Sequence, residues 1–157
     1  MCPGAVPLTR QPQIAVSAAL FRGEEQLLIE RQKGQTLEGL FSFPGGRVGF
    51  GETLRQAVAR EVREEVGLNV VEESFVFVTN HEAIYEDFHF VIVVFAAQIG
   101  ADANPVAGSD AAAVTFVPSE SLPHLENDGQ TTPSLASISR QALSMLLLRH
   151  SSVEKGS

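Results

Sequence analysis

The spacing of apolar residues along the chain alternates between the period of a strand and the period of a helix. Short apolar and β-branched runs bounded by glycine, proline or charged residues are typical of strands. Such runs predict strands over residues 14–21, 26–31, 41–43, 70–79, 88–98 and 113–117. We expect a tight polar turn between the first two, a polar connection over residues 80–87 and a small-residue loop over residues 100–112.

Helical spacing is clearest over residues 54–66. Thr53 and Gln56 fit a capping box at the start of this segment. Gly67 fits the position just after the last helical residue, where a left-handed backbone is common. The pattern therefore predicts one complete helix with both ends marked.

A second helix is predicted near the end of the chain. Thr132 and Pro133 suit an N-cap and a first helical position, and apolar residues then follow helical spacing up to residue 149. Residues 118–125 predict one short helical turn, and residues 151–157 a frayed tail.

Mixed strands and helices indicate the α/β class, with helices covering the faces of a sheet. The length of 157 residues favours a single domain over residues 1–157, ordered from about 12 to 150 with a tail at each end. Cys2 is the only cysteine, so no internal disulfide is expected.

Charge and hydropathy narrow the classes of partner. The net charge of −8 argues against nucleic acid, which needs a basic surface, but a local cation site can still bind a small phosphorylated substrate. The first 13 residues resemble neither a signal peptide nor a membrane anchor, and no apolar run is long enough to span a bilayer. We therefore expect a soluble cytoplasmic protein.

The predicted helix over residues 54–66 carries carboxylates on its apolar side. At 100° per residue, Glu65 projects near the middle of the apolar stripe and Glu61 lies at its edge, while Glu64 lies further round. A solvated acidic helix with an Arg60–Glu64 pair is the plainer interpretation, but that pair is worth only about 0.3–0.5 kcal/mol and leaves Glu65 unexplained. An unpartnered buried carboxylate is costly, so a site for Mg²⁺ or Mn²⁺ is the favoured hypothesis.

Residues 44–51 contain four glycines and lead into this helix. Such loops can cradle phosphates, but no Lys-Ser/Thr pair follows, so the segment is not a P-loop. Glu52 at the helix entrance would also repel a phosphate. A loop that offers carbonyl oxygens to a cation fits these residues better.

Residues 46–68, GRVGFGETLRQAVAREVREEVGL, resemble the Nudix box, G-x5-E-x7-R-E-U-x-E-E-x-G-U, where U is a bulky aliphatic residue. Every fixed position matches: Gly46, Glu52, Arg60, Glu61, Val62, Glu64, Glu65, Gly67 and Leu68. The fold implied by the resemblance is a Nudix α/β/α sandwich with a mixed, partly barrelled sheet.

The resemblance also implies roles for individual residues. The implied metal ligands are Glu61, Glu65, Glu64 and the carbonyl of Gly45. The implied catalytic set is Glu64, Glu61, Arg60 and Glu52, with Glu64 either a ligand or the general base, and Arg60 and Glu52 orienting the acids. Arg31 and Arg47 resemble contacts to substrate phosphates, although an arginine in solvent at a strand end explains Arg31 equally well.

The implied activity is metal-dependent hydrolysis of a pyrophosphate bond in a nucleoside diphosphate linked to another group. The segments FHFVIVVF and SDAAAV resemble the ADP-ribose pyrophosphatase-like branch, so ADP-ribose or a related nucleotide is the expected substrate. The alternatives are a house-cleaning (d)NTP pyrophosphohydrolase, a dinucleoside polyphosphate hydrolase, at which Tyr85 hints, and a non-catalytic nucleotide-sensing module. A homodimer is the default expectation.

Some family members use an additional loop acid in catalysis. The candidates here are Glu82, Glu86, Asp87 and Glu120, for each of which simple solvation is the commoner explanation. His89 could face the substrate cleft, but a structural role is favoured for a lone strand histidine.

Overall fold

The computed structural model describes residues 11–156, within which seven strands and three α-helices form. The strands are β1 (Gln13–Arg22), β2 (Glu25–Arg31), β3 (Phe41–Ser42), β4 (Gly45–Arg47), β5 (Val76–Ile84), β6 (His89–Gln98) and β7 (Ala111–Pro118). The helices are α1 (Leu54–Val66), α2 (Leu122–Asn127) and α3 (Leu135–Glu154). The predicted α/β class is confirmed.

The strands form one mixed sheet in the order β3-β2-β1-β6-β5. β1 runs parallel to β6 from Gln13 to Phe21 but pairs with β2 only at Phe21 and Arg22. Nearer the start of β1, β2 no longer pairs with it, and β4 pairs with Ala15–Ser17 of β1 instead. The rest of β2 pairs with β3 and β7. The sheet is therefore mixed, as expected, but it splits open instead of closing into a barrel.

A buried glutamine stabilises the point where β1 and β2 separate. Gln26 is fully buried, and its Nε2 donates to the carbonyl of Leu20 at 2.9 Å. Its Oε1 accepts from the hydroxyl of Ser139 on α3 at 2.9 Å. Because a buried amide must be hydrogen-bonded, this side chain ties the split in the sheet to α3.

Helices cover both faces of the sheet. Alternate residues of β1 (Val16, Ala18 and Leu20) belong to a core with α1, while Ala19 and Phe21 belong to a core with α3. The buried residues of α1 in the first core are Ala57, Val58, Val62 and Val66. A third core lies between β2, α2 and α3. The carboxylates of α1 are thereby placed at the margin of the largest core.

Both predicted ends of α1 are confirmed. The amide of Gln56 donates to the Thr53 hydroxyl at 3.1 Å, and the amide of Thr53 donates to the Gln56 side chain at 2.9 Å. Gly67 has a φ of 68°, in the left-handed region that glycine adopts without strain. The orientation of this helix about its axis, and hence of its glutamates, is set by these ends and by its apolar stripe.

The predictions were wrong about β5 and β4. The strand expected over residues 70–79 is observed at Val76–Ile84, so residues 80–84 of the expected connection belong to the strand. β5 pairs only with β6 at the edge of the sheet, where polar side chains are tolerated. Residues 45–47, expected as loop, pair with β1 because glycines allow close approach to its backbone.

The limits of the last helix also differ from the prediction. α3 begins at Leu135 after Ser134, which has a φ of 67°, and not after Thr132. It continues to Glu154, where a frayed tail was expected from residue 151. The hydroxyls of Ser151 and Ser152 bond to carbonyls one turn back, as serine does within a helix. The predicted N-terminal tail lies largely outside the described residues.

Candidate active site

The buried side of α1 carries a carboxylate, as its sequence predicts. Glu65 is only 8% exposed, beside the fully buried Val62 and Val66. Its Oε2 accepts a hydrogen bond from the backbone amide of Gly45 at 3.1 Å. Burial raises the pKa of Glu65 to about 8, against the lowering effect of this hydrogen bond, and the charge of Glu61 raises it further. The negative charge of Glu65 is therefore poorly compensated.

Glu61 lies one turn earlier, against the β4 backbone. A Cβ atom on Gly46 would overlap all three carboxyl atoms of Glu61, so only glycine lets the strand approach this carboxylate so closely. Burial raises the pKa of Glu61, although the hydrogen bond from Arg60 opposes the shift. The half-buried Glu61 and the buried Glu65 therefore form a pair of carboxylates that faces β4.

Arg60 connects the remaining acids of the helix. Its Nε lies 2.6 Å from Glu52, and its Nη1 lies 2.8 Å from Glu61 and 3.1 Å from Glu64. Its Nη2 donates to the carbonyl of Arg47 at 3.0 Å. Hydrogen bonds from Arg60, and then from the amide of Gly49, lower the pKa of Glu52 to about 2. Arg60 and Glu52 form a fixed ion pair that positions Glu61 and Glu64.

The donor chemistry of these residues fits a divalent cation that prefers oxygen. Glu65 is a buried carboxylate with one hydrogen bond from the protein, and a cation would compensate its charge. Within residues 11–156, however, no three acidic, histidine or cysteine side chains converge on one point. Arg60 holds Glu61 and Glu64, and Gly45 meets Glu65 through its amide, whereas the metal prediction uses its carbonyl. In this arrangement Arg60 compensates the charges of Glu61 and Glu64, whereas it makes no bond to Glu65 among the described contacts.

The two predicted substrate arginines lie at the rim of this site. Arg31 is half-buried and its Nε donates to the carbonyl of Thr36 at 2.6 Å. Burial lowers the pKa of Arg31, while the nearby charge of Glu65, and then Tyr85, act in the opposite direction. Arg47 is exposed, and its guanidinium lies 5.6 Å from the ring centre of Phe90.

The structure adds an acid that the sequence did not single out. The loop before β7 packs on the end of α1, where the amide of Gly108 donates to the carbonyl of Glu65 at 2.7 Å. Asp110 lies two residues further on, and its charge contributes to the raised pKa values of both Glu61 and Glu65. In the sequence, Asp110 belongs to the SDAAAV segment at the end of the predicted small-residue loop, and nothing there marks it as an acid of the site.

The structure brings together the predicted residues of α1 and β4 more closely than the other candidates. The four loop acids Glu82, Glu86, Asp87 and Glu120 are all exposed. His89 begins β6, and its Nε2 atom is buried without a hydrogen-bond partner among the described residues. The carboxylates of α1 therefore remain the chemical centre of the molecule.

Comparison with known proteins agrees with this arrangement of strand, glycine segment and acidic helix. The family model described as NUDIX domain matches residues 11–137. The chain belongs to the Nudix family. The Nudix resemblance of the sequence is thereby confirmed, and hydrolases of this family generally use divalent metals.

Individual Nudix proteins match over different lengths. The chain is 35% identical over 118 residues to an ADP-ribose pyrophosphatase of Methanocaldococcus jannaschii, covering 74% of this chain and 68% of that protein. It is 45% identical over 60 residues to a putative 8-oxo-dGTP diphosphatase 2 of Mycobacterium tuberculosis, covering 38% of this chain and 43% of that protein. A MutT Nudix hydrolase structure from Burkholderia pseudomallei superimposes with a TM-score of 0.71 at 24% identity, covering 83% of this chain and 98% of that one. This likeness shows the fold.

Proposed function

We propose that this Nudix protein hydrolyses the pyrophosphate bond of a nucleoside diphosphate linked to another group, with ADP-ribose or a related nucleotide as substrate. The observation that carries the proposal is the pair of carboxylates, Glu61 and Glu65, held between α1 and the glycine backbone of β4. A buried carboxylate whose negative charge is poorly compensated is unfavourable for folding. Such groups are typical of sites that bind a ligand or take part in a reaction.

The proposed cofactor is Mg²⁺ or Mn²⁺. Glu61 and Glu65 would hold it, with Glu64 and the carbonyl of Gly45 as further ligands. When bound, such a cation lowers the pKa of a water molecule and neutralises charge on phosphate oxygens. The raised pKa of Glu65, about 8, means that cation binding competes with a proton at this carboxylate.

The side chains around the carboxylates have distinct proposed roles. Glu64 is more than half exposed and accepts a hydrogen bond from Arg60, so it can reach solvent and accept a proton from an attacking water. Arg60 and Glu52 are positioning residues, since their ion pair holds the Arg60 guanidinium against the carboxylates of Glu61 and Glu64. Arg31 and Arg47 are proposed to bind the phosphates.

ADP-ribose is favoured because similarity to an ADP-ribose pyrophosphatase extends over 74% of the chain, whereas similarity to the 8-oxo-dGTP diphosphatase extends over 38%. The second candidate is a (d)NTP or dinucleoside polyphosphate pyrophosphohydrolase, which the higher local identity of 45% to that diphosphatase supports. A non-catalytic sensing module is the third, although all glutamates of the box are present.

Two accompanying features remain predictions from the sequence alone, namely a homodimer and a cytoplasmic location. The prediction that nucleic acid is not a partner likewise rests on the net charge of −8 alone. For residues 11–156, none of the helices combines the length and the apolar character that crossing a membrane requires.

A substrate panel tests the proposal. ADP-ribose, nucleotide sugars, dinucleoside polyphosphates and (d)NTPs including 8-oxo-dGTP are incubated with the protein and Mg²⁺ or Mn²⁺, and products are separated chromatographically. We expect AMP and ribose 5-phosphate from ADP-ribose, with wild-type rates in the control Glu72→Gln, an exposed acid outside the site. Turnover of triphosphates alone would replace the ADP-ribose proposal by the second candidate. Binding without turnover of any compound would favour the sensing module.

A further inference from the structure

Two loops meet at the end of the ladder between β2 and β7. Arg31 is the last residue of β2, and it pairs with Ala111, the first residue of β7. The register shifts between Glu30 and Arg31, so the ladder ends in a β-bulge. Bulges redirect side chains and are frequent next to active sites. The β2–β3 loop (residues 32–40) and the β6–β7 loop (residues 99–110) therefore adjoin neighbouring positions of the sheet.

Glutamine side chains of the β2–β3 loop continue this contact beyond the strands. The Nε2 of Gln32 donates to the carbonyl of Ser109 at 2.6 Å, and the Nε2 of Gln35 donates to the carbonyl of Asp110 at 3.3 Å. The Oε1 of Gln35 accepts from the backbone amide of Gln32 at 2.9 Å, which joins the two glutamines to each other. We name these hydrogen bonds the glutamine clasp. Both glutamines are half-buried, although the two residues between them are exposed.

The β2–β3 loop has a backbone conformation that depends on such contacts. Leu37 has a φ of 58°, in the left-handed region that residues other than glycine rarely adopt. Backbone of this kind persists where the surrounding structure holds it. Within the loop, the carbonyl of Thr36 accepts from the Nε of Arg31 at 2.6 Å. The direction of the Arg31 guanidinium therefore depends on the shape of the loop that the clasp holds.

The β6–β7 loop is attached to α1. The amide of Gly108 donates to the carbonyl of Glu65 at 2.7 Å, and a Cβ atom on Gly108 would overlap the carbonyl oxygen of Glu64. The clasp thus connects the helix that carries the carboxylates, through one loop, to the loop that orients Arg31. The charges of Arg31 and Asp110 act on the pKa of Glu65 in opposite directions, which agrees with this arrangement.

We propose that Gln32 and Gln35 are positioning residues, which hold the β2–β3 loop on the β6–β7 loop so that the Arg31 guanidinium is directed at the substrate phosphates. Neither glutamine touches the substrate. A guanidinium binds phosphate oxygens through a rigid fork of donors, so a change in its direction weakens the contact. This inference rests on the proposed function, because it takes Arg31 as a phosphate contact.

Hydrogen exchange tests the clasp without a substrate. Gln32→Met combined with Gln35→Met removes both donors with little change in side-chain volume. In protein without nucleotide, we expect amide exchange to become at least about threefold faster in peptides from both loops and to stay unchanged in the middle of α1. The matched control is Gln141→Met, which replaces an exposed glutamine of α3. Faster exchange in the mutated loop alone would show that the clasp does not join the loops.

Kinetics with ADP-ribose test the effect of the clasp on Arg31. A phosphate contact made equally in the bound substrate and in the transition state affects KM and not kcat. Gln35→Met is therefore expected to raise KM about 3- to 10-fold and to lower kcat less than about twofold. A contact that only stabilises the loop predicts a lower Tm with an unchanged KM, and this result would overturn the inference.

A double-mutant cycle with Arg31 gives a further measurement. Arg31→Met removes the guanidinium and is expected to raise KM by itself. Adding Gln35→Met to Arg31→Met is expected to raise KM no further, because the clasp acts through the guanidinium that is already absent. If Gln35→Met raises KM by the same factor with and without Arg31, the glutamine does not act through this residue and the inference is wrong.

Failure of this inference and failure of the proposed function give different results. Wild-type KM and kcat for ADP-ribose in both glutamine variants would remove the inference and leave the function. If no compound of the panel is hydrolysed, the proposed function fails, and calorimetric binding of ADP-ribose takes the place of KM. An affinity about 3- to 10-fold weaker in Gln35→Met would then keep the inference, whereas an equal affinity would remove it as well.

Discussion

At the scale of single residues, Glu65 links the stability of the fold to its chemistry. The carboxylate is 8% exposed, and its pKa in the folded protein is about 8 against an ordinary value of 4.5. Because the folded state holds the proton more tightly than the unfolded state, the contribution of Glu65 is favourable at low pH. It is lost as the pH rises from about 4.5 through about 8.

Glu65→Gln removes this titration while keeping the shape of the side chain. In metal-free protein we expect the wild-type Tm to fall between pH 5 and pH 8, and the variant to show a smaller fall and an equal or higher Tm at pH 8. Pyrophosphohydrolase activity is expected to be lost. Thermal melting across pH and turnover of ADP-ribose measure both effects. Near-normal turnover with a destabilised metal-free fold would assign Glu65 to a structural ion pair instead.

Asp110 gives a second prediction at this scale. Its negative charge contributes to the raised pKa of both Glu61 and Glu65, so Asp110→Asn is expected to lower these two pKa values. The fall in Tm with pH should then be smaller and end at lower pH in the metal-free variant. Asp102→Asn, at another exposed position of the same loop, is the control. Identical melting profiles for wild type and Asp110→Asn would show that Asp110 does not act on the site.

At the scale of elements, the contact between α1 and β4 sets the geometry of the site. The strand β4 pairs with β1, and its Gly46 lies directly on the carboxylate of Glu61. The capping box and the left-handed Gly67 fix where α1 begins and ends, so the two glutamates cannot rotate away from the strand without disturbing the core.

Gly46→Ala tests this contact. The added Cβ would overlap the Glu61 carboxyl group, which must move or push β4 away from α1. We expect at least a tenfold loss of Mn²⁺ affinity, equivalent to about 1.4 kcal/mol, with a smaller change in Tm than a core substitution would give. Gly34→Ala is the control for a glycine with open space around it, although its φ of 90° costs some stability. Unaltered Mn²⁺ affinity in Gly46→Ala would place the cation elsewhere.

At the scale of the whole molecule, binding of a cation should be coupled to folding of the chain. Glu61 and Glu65 share one side of α1, but β4 and the loop before β7 come against them only in the folded chain, so the unfolded chain has no comparable site. A ligand that binds only the folded state raises its stability.

We therefore expect EDTA to abolish activity and Mg²⁺ or Mn²⁺ to restore it. The increase in Tm on adding Mn²⁺ should grow between pH 6 and pH 8, because the cation competes with protons at carboxylates whose pKa values are raised. Melting curves of the metal-free protein, recorded with and without added Mn²⁺, measure this effect in wild type and in Glu65→Gln. Full turnover in EDTA would contradict metal dependence.

The wrong predictions concern elements whose position depends on partners distant in the sequence. The polar residues of the β5–β6 connection read as a loop, but an edge strand tolerates them, and β5 extends to Ile84. The short strand β4 has too few side chains to show alternation, and its pairing with β1 depends on contacts across the sheet. The start of α3 was assigned to Thr132, but the helix begins after Ser134.

The sequence by itself determined the features that depend on neighbouring residues. It specified the length and caps of α1, the burial of Glu65 within its apolar stripe, and the motif that assigns the chain to the Nudix family. Helical periodicity and capping act within one or two turns, so a single segment contains all the information they need.

Only the tertiary structure decided what surrounds that helix. The splitting of the sheet between β1 and β2, the approach of Gly46 to Glu61, and the electrostatic effect of Asp110 on the pKa of both carboxylates join segments far apart in the chain. These contacts depend on the sum of many packing interactions, and no local pattern of residues encodes them.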